Sequence, residues 1–374
     1  MEIKKLGFGL MRLPSLDPND PSVIDMEQTK KMVDTFLERG FTYFDTAWMY
    51  CGFKSENAAK EALVDRHPRD SYTLATKLHA GFLQNKEDRD RIFNEQLEKT
   101  GVTFFDYYLL HDINTHSIET YNALDCFNWI QDKKEKGLVK HIGFSYHDGP
   151  ELLDKVLTEH PEFEFVQLQI NYLDWDSAGV QSRKCYEVAT KHHKPVIVME
   201  PVKGGTLAKV PESVEKMFKN YAPAASIPSW AIRFAAGHQN VWLVLSGMSN
   251  MEQVLDNTGY MNDFKPLNEE EMQLIERAVA EINSTIAIPC TGCSYCTEGC
   301  PMKINIPKYF SLYNADLQEV EEKGWTPQGE YYSNLTKTFG KASECIGCGQ
   351  CEAVCPQHLN IIEGLAEVAK HFEQ

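Results

Sequence analysis

The chain lacks several features that would have placed it at once. It has no apolar run long enough to span a bilayer, so a membrane partner is not expected. Basic residues are outnumbered, 37 Lys and Arg against 54 Asp and Glu, for a net charge of −17. Such a surface repels phosphates, which excludes nucleic acid as a partner. The opening residues Met1-Glu2-Ile3-Lys4-Lys5 show no signal-peptide apolar stretch, and a cytoplasmic location is the expectation. There is no low-complexity tract and no short repeat. No G-x-G-x-x-G follows the first apolar run, which argues against an open doubly wound dinucleotide sheet. Only Cys51, Cys126 and Cys185 of the 11 cysteines are scattered, and thiols of that kind suit a reducing compartment.

The other eight cysteines are the strongest signal. Cys290, Cys293, Cys296 and Cys300 precede Pro301, and Cys345, Cys348, Cys351 and Cys355 precede Pro356. Each set is a C-x2-C-x2-C-x3-C-P run, the bacterial ferredoxin spacing for a [4Fe–4S] cluster, in which the fourth cysteine serves the other cluster. Two clusters are therefore expected. One is held by Cys290, Cys293, Cys296 and Cys355, the other by Cys345, Cys348, Cys351 and Cys300. A pair of zinc sites would use two C-x2-C pairs and leave the third cysteine and the C-P step without a role.

The rest of the chain reads as alternating strands and helices. Apolar or β-branched runs at 7–11, 43–47, 72–78, 107–112, 141–146, 165–171, 195–201 and 241–247 are separated by amphipathic stretches, as at 26–39, 55–65, 88–99, 118–136 and 180–191. Eight strands, each followed by a helical segment, predict an α/β fold, a (β/α)8 TIM barrel, which takes about 250 residues. Asn268 before Glu269-Glu270-Glu271 reads as a helix cap with an acidic first turn. That helix runs to about Ile282, which divides the chain into a barrel at 1–283 and a cluster domain at 284–374. The long insert between the cysteine runs has a helical pattern at 308–322 and a turn at 324–327. It points to a mostly α-helical ferredoxin-like domain.

Barrel enzymes place their chemistry where strands end at the C-terminal face. Asp45 ends the second strand, Tyr50 follows it, Lys77 ends the third and His111 the fourth. Any one of them has an ordinary structural explanation; four on adjacent strand ends make a coherent set. Reducing a carbonyl by hydride creates an alkoxide that needs a proton. A phenol can give it if a lysine ammonium lowers its pKa. A carboxylate such as Asp45 keeps that lysine charged, and His111 can orient the substrate oxygen or relay a proton.

These segments resemble the aldo-keto reductase family: Gly40-Phe41-Thr42-Tyr43-Phe44-Asp45-Thr46-Ala47-Trp48-Met49-Tyr50, Leu74-Ala75-Thr76-Lys77, and Asp106-Tyr107-Tyr108-Leu109-Leu110-His111, with Leu6 to Leu13 as the opening strand. The resemblance extends to about residue 282. It implies that Asp45, Tyr50, Lys77 and His111 are a catalytic tetrad. It also implies that an aldehyde or ketone is reduced with NADP or NAD, without metal or flavin. The tail resembles that of a minority branch with a ferredoxin-like extension. By the same resemblance Ser145 and Gln169 hold the nicotinamide carboxamide. Met199 stands where a tyrosine commonly stacks on the ring, and Tyr146 where an asparagine is usual. The turn after the eighth strand supplies Gly247, Ser249, Gln253 and Asn257 as further cofactor contacts. Ser249 replaces an arginine that grips the NADP phosphate in many relatives, and Lys203-Gly204-Gly205 is a candidate replacement.

A small carbonyl compound is the expected substrate, with a redox partner protein as a further candidate. Two other readings stand beside this one: a carbonyl reductase whose cluster domain is only structural or docking, and a non-catalytic electron-transfer platform. Trp48, Phe53, His79 and Phe82 lie on loops that could line the pocket.

Overall fold

A computed structural model describes residues 4–17, 19–284, 286–290, 292, 294–318, 325–355 and 358–373. Ten strands occur among them: β1 (Leu6–Gly9), β2 (Ser15–Asp17), β3 (Asp20–Ile24), β4 (Tyr43–Asp45), β5 (Thr73–His79), β6 (Phe105–Ile113), β7 (Val139–Tyr146), β8 (Phe165–Gln169), β9 (Val196–Met199) and β10 (Val241–Gly247). Eight of these close a parallel barrel in the order β1-β10-β9-β8-β7-β6-β5-β4, and β1 pairs with both β10 and β4. Side chains alternate across the barrel wall as the pleat requires. Tyr43, Tyr107, Leu109, Phe165 and Leu243 fill the interior, while Phe44, Tyr108 and Leu110 pack outward against the helices. Both faces are covered, which explains why the strands read as nearly continuous apolar runs. Gly143 on β7 makes room for the Phe165 ring, since an added Cβ would lie 2.5 Å from it.

The helical layer departs from the sequence expectation in places. The single helix expected over 118–136 is two, Ser117–Ala123 and Cys126–Glu135, because Asp125 takes a left-handed φ of 56° between them. Helices Glu212–Tyr221 and Ile227–Gly237 fill the stretch before β10. The first strand ends at Gly9 and gives way to a 3-10 turn, Leu10–Arg12. β2 and β3 form an antiparallel hairpin absent from the sequence reading. Asn268 caps helix Glu269–Asn283 in a capping box with Glu271, whose carboxylate also takes both arms of Arg233. Among the described residues, no helix is long and apolar enough to cross a membrane.

The C-terminal part has its own core, built around Tyr309, Phe310, Tyr332, Leu365 and Val368. These lie on helices Ile306–Leu317, Pro327–Leu335 and Ile361–Phe372. Val180 from the barrel chain packs into the same core. Helix Pro327–Leu335 rests on the barrel mouth. The Asn334 amide donates to the His147 carbonyl at 3.0 Å, and the His116 imidazole meets the Ser333 carbonyl at 2.9 Å. The Tyr331 ring meets His147 edge-on at 6.1 Å.

Candidate active site and iron–sulfur centre

The mouth of the barrel opens into a cavity of about 820 Å³. β4 ends on Asp45, which pairs with Ala75 of β5, and Lys77 lies two residues further along the same face, so its side chain reaches Asp45 inside the wall. Lys77 is fully buried. Its ammonium donates to Asp45 Oδ1 at 2.5 Å, to the Thr46 carbonyl at 2.8 Å and to Tyr50 Oη at 3.4 Å. Tyr50 sits in a tight turn where Cys51 and Gly52 both take left-handed conformations, which swings the phenol back over the strand ends. Its hydroxyl lies 3.5 Å from His111 Nε2, and the two rings meet edge-on at 5.7 Å. Asp45 to Lys77 to Tyr50 to His111 is thus an unbroken hydrogen-bonding chain, long at its last two links.

The electrostatics differ from expectation at one point. Lys77 does pull the Tyr50 phenol down, but burial outweighs it and leaves the phenol above its ordinary value. Burial alone would lower the Lys77 ammonium, yet Asp45 and Tyr50 more than offset that and raise it. Burial also lifts the Asp45 carboxyl, against the pull of Lys77. His111 is held well below its usual value by burial first and then by the Lys77 charge, so the imidazole is neutral near pH 7. The site therefore holds a protonated phenol, an ammonium and a neutral imidazole at neutral pH.

The residues expected to hold a cofactor fall into three groups. Met199 and Gly247 line the cavity. Ser145 and Gln169 are buried in the barrel wall, where Ser145 Oγ accepts from the Asp112 amide at 2.8 Å. Gln169 donates to Asp174 at 2.8 Å, and its Oε1 is buried without a partner, an acceptor that an amide NH2 would satisfy. Ser249, Gln253 and Asn257 are engaged locally. The Ser249 hydroxyl donates to the Arg12 carbonyl, the Ser249 amide to the Gln253 side chain, and the Asn257 amide to Ser246 Oγ. Lys203 offers no free cation to a phosphate, because its ammonium is buried against Asp174 at 2.9 Å. Of the four loop residues, only His79 reaches the cavity; Trp48, Phe53 and Phe82 pack on one another.

Sequence reasoning passed over other groups at this mouth. Arg12 lines the cavity, its guanidinium 3.7 Å from Glu200 and its stem 3.4 Å from where a Gly247 Cβ would be. The Gln167 amide lies beside Asp45. Asp112 reaches the cavity from a register irregularity in β6, where its own φ is 57°. Trp325 and Glu330 enter from the C-terminal domain. Only the strand-end position of Asp112 is visible in sequence.

The two cysteine runs share one backbone pattern. Gly292 and Ser294 are left-handed in the first, Gly347 and Gly349 in the second, and Lys303 and His358 are left-handed after them. Short helices follow at matching places, Tyr295–Glu298 and Gln350–Ala353. Such turns curl a chain so that successive side chains face inward. Cys300 lines one small apolar cavity together with Cys345, Cys348 and Cys351. Cys296, Cys351 and Cys355 are buried, Cys290 is half-buried, and Cys293 lies outside the described residues. Among the described residues no three ligand side chains already converge on one metal position. The donor set of thiols in an apolar pocket suits iron–sulfur ligation.

Comparison with known proteins agrees with this architecture. Residues 5–280 match the aldo/keto reductase family and residues 289–360 the 4Fe-4S dicluster domain. The chain belongs to the aldo/keto reductase family and is an oxidoreductase with an iron–sulfur domain. An aldo-keto reductase of Gibberella moniliformis is 27% identical over 182 residues, covering 44% of this chain and 53% of that protein, so the chain spans about half of that relative's length. L-galactose dehydrogenase of Arabidopsis thaliana is 22% identical over 296 residues, 74% of this chain and 90% of that protein. Among solved structures, an aldo-keto reductase from Klebsiella pneumoniae in complex with NADPH has a TM-score of 0.58 at 18% identity, covering 74% of this chain and 90% of that one. The holo form of an aldo-keto reductase from Bacillus halodurans also scores 0.58, at 23% identity, with 74% and 92% covered. Both are likenesses of fold.

Proposed function

We propose that the protein interconverts an aldehyde or ketone and its alcohol with NADP or NAD, through Asp45, Tyr50, Lys77 and His111. Two [4Fe–4S] clusters on the cysteine runs carry single electrons. The observation that supports this most is the chain of contacts from Asp45 to Lys77, Tyr50 and His111 at one cavity.

A bound nicotinamide supplies or accepts the hydride. The residues of the chain manage the proton and the developing charge. Tyr50 is protonated at neutral pH and gives its proton to the substrate oxygen as that oxygen gains charge. The phenolate left behind faces the Lys77 ammonium, which Asp45 keeps charged. Neutral His111 offers a hydrogen bond that orients the carbonyl without placing a second cation beside Lys77. Gln169 Oε1 and the Ser145 hydroxyl suit a carboxamide, and Arg12 is the cation at the cavity for a phosphate. The cluster ligands are Cys290, Cys293, Cys296 and Cys355 for one cubane and Cys345, Cys348, Cys351 and Cys300 for the other. The common cavity of the second set supports that division.

The test is Tyr50→Phe, which keeps the ring and removes the acid. Carbonyl reduction at neutral pH is expected to fall by a factor on the order of 10² to 10⁴, with cluster absorption unchanged. Undiminished turnover in this variant would refute the assignment. Reduction that survives cluster removal in the folded protein would instead favour a cluster domain that serves only structure or docking.

A further inference from the structure

The cavity at the barrel mouth has two chemically different walls. The ends of β1, β9 and β10 contribute Gly9, Met199, Leu245 and Gly247, a mostly apolar wall with the Arg12–Glu200 ion pair at its edge. The opposite wall is polar and only partly made by the barrel. His79, Asp112 and Asn114 come from the ends of β5 and β6, His147 from beyond β7, and Glu330 from helix Pro327–Leu335 of the iron–sulfur domain.

Asn114 joins the two carboxylates of this wall. Its side-chain amide donates to Asp112 Oδ1 at 3.1 Å and to Glu330 Oε1 at 3.2 Å. Its own oxygen is taken by the backbone N–H groups of His116 and Ser117, at 2.7 and 2.9 Å, so the amide cannot turn over. Asp112 is held in its left-handed conformation by its amide on Ser145 and by the Ser117 hydroxyl on its carbonyl. The helix carrying Glu330 is pinned to the barrel through His147 and His116. An independent sign is His147 itself: it is 7% exposed, lines the cavity, and its Nδ1 has no partner.

We infer that Glu330 of the iron–sulfur domain, clamped to Asp112 by Asn114, is a specificity residue of the barrel's active site that accepts a hydrogen bond from a hydroxyl on the substrate. This rests on the reductase reading above and adds which part of the substrate is recognised and by which domain. Carboxylate acceptors on this wall ask for donors beyond the reacting carbonyl. A plain alkyl carbonyl offers them no donor beyond Asn114, and a site built around hydrogen bonds discriminates against such an analogue. An anionic carbonyl compound would meet two carboxylates. The preferred class is therefore a neutral hydroxylated aldehyde or ketone, and the barrel without the C-terminal domain has an incomplete substrate wall.

The test compares kcat/KM for glyceraldehyde, propanal and glyoxylate in the full-length, cluster-loaded protein with NADPH or NADH. Glyceraldehyde is expected to be preferred. In E330A its advantage over propanal should fall about tenfold, and in the near-isosteric E330Q about fivefold, the change residing in KM more than in kcat. Cluster absorption and melting temperature report whether each variant is folded, and E330Q keeps the helix intact if E330A does not fold. An unchanged glyceraldehyde-to-propanal ratio in the folded variants overturns the inference and leaves the reductase reading standing. So does a wild-type preference for propanal or glyoxylate. No turnover of any of the three by the wild-type protein overturns both.

Discussion

Replacing Lys77 by methionine tests the centre of the site through stability rather than turnover. The ammonium has no solvent contact and three oxygen partners, the nearest being Asp45 Oδ1 at 2.5 Å. Two unit charges at that separation attract by about 7 kcal/mol at an effective dielectric of about 20. Most of this is offset in the wild type by the cost of burying both. Lys77→Met removes the attraction and leaves Asp45, 3% exposed, without a counter-charge. Losses of about 3–5 kcal/mol are typical of breaking such a pair, a drop in melting temperature on the order of 10 °C for a domain this size. Asp45→Asn in the same background removes the stranded charge, and the double variant should recover at least about 2 kcal/mol of the summed loss. The pH dependence has a definite sign. Burial already raises the Asp45 carboxyl, and without Lys77 it rises further. A raised carboxyl folds more readily when protonated, so the Lys77→Met deficit should be smaller at pH 5 than at pH 8. The assay is anaerobic thermal unfolding of the full chain, followed by tryptophan fluorescence at both pH values. A variant within about 1 kcal/mol of wild type, or a deficit that grows on acidification, would refute the reasoning.

Further outcomes follow from other groups. His147 is held at about 4 by burial, although Glu330 and Glu200 pull it upward. With an unfolded value of about 6.5, it binds fewer protons when folded, so its contribution is full above that value and is lost as pH falls through 4. The loss is on the order of 3 kcal/mol. Protection factors in helix Pro327–Leu335, taken relative to intrinsic exchange at each pH, should fall between pH 6.5 and 4, and His147→Gln should blunt the change. Cys300→Ser should depress iron content and the broad cluster absorption as strongly as Cys348→Ser, since both line the same cavity. Cys126→Ser should not, because Cys126 is a buried thiol of the barrel whose pKa burial pushes up to about 12.

How much of this was legible in sequence depends on how local each interaction is. The cysteine runs were readable because a cluster loop draws three ligands from within seven residues, whereas the matching left-handed turns at Gly292 and Gly347 are a property of the folded backbone. The barrel was readable because strands buried on both faces are apolar throughout. Asp45, Tyr50, Lys77 and His111 stood out by their place near strand ends, although β5 and β6 each run two residues past Lys77 and His111. The β2–β3 hairpin was missed because its strands are three and five residues long and its apolar Leu16 and Val23 face solvent, so no buried face shows in the sequence. The break at Asp125 was hidden because the helical period on either side stays in phase. Lys203 looked like a surface cation beside two glycines, and only the fold shows Asp174 waiting for it in the interior.

Sequence by itself determined the strand–helix alternation, the closed barrel, the iron–sulfur loops and the residue types available at the strand ends. These depend on periodicity and short-range spacing, which a chain carries with it before it folds. Tertiary structure alone decided that burial outweighs Lys77 at the Tyr50 phenol, because desolvation depends on everything packed around a group. It alone decided that Asn114 and Glu330, 216 residues apart, meet across two domains at one cavity. No pattern along the chain encodes that contact, since it arises only when the second core settles on the mouth of the first.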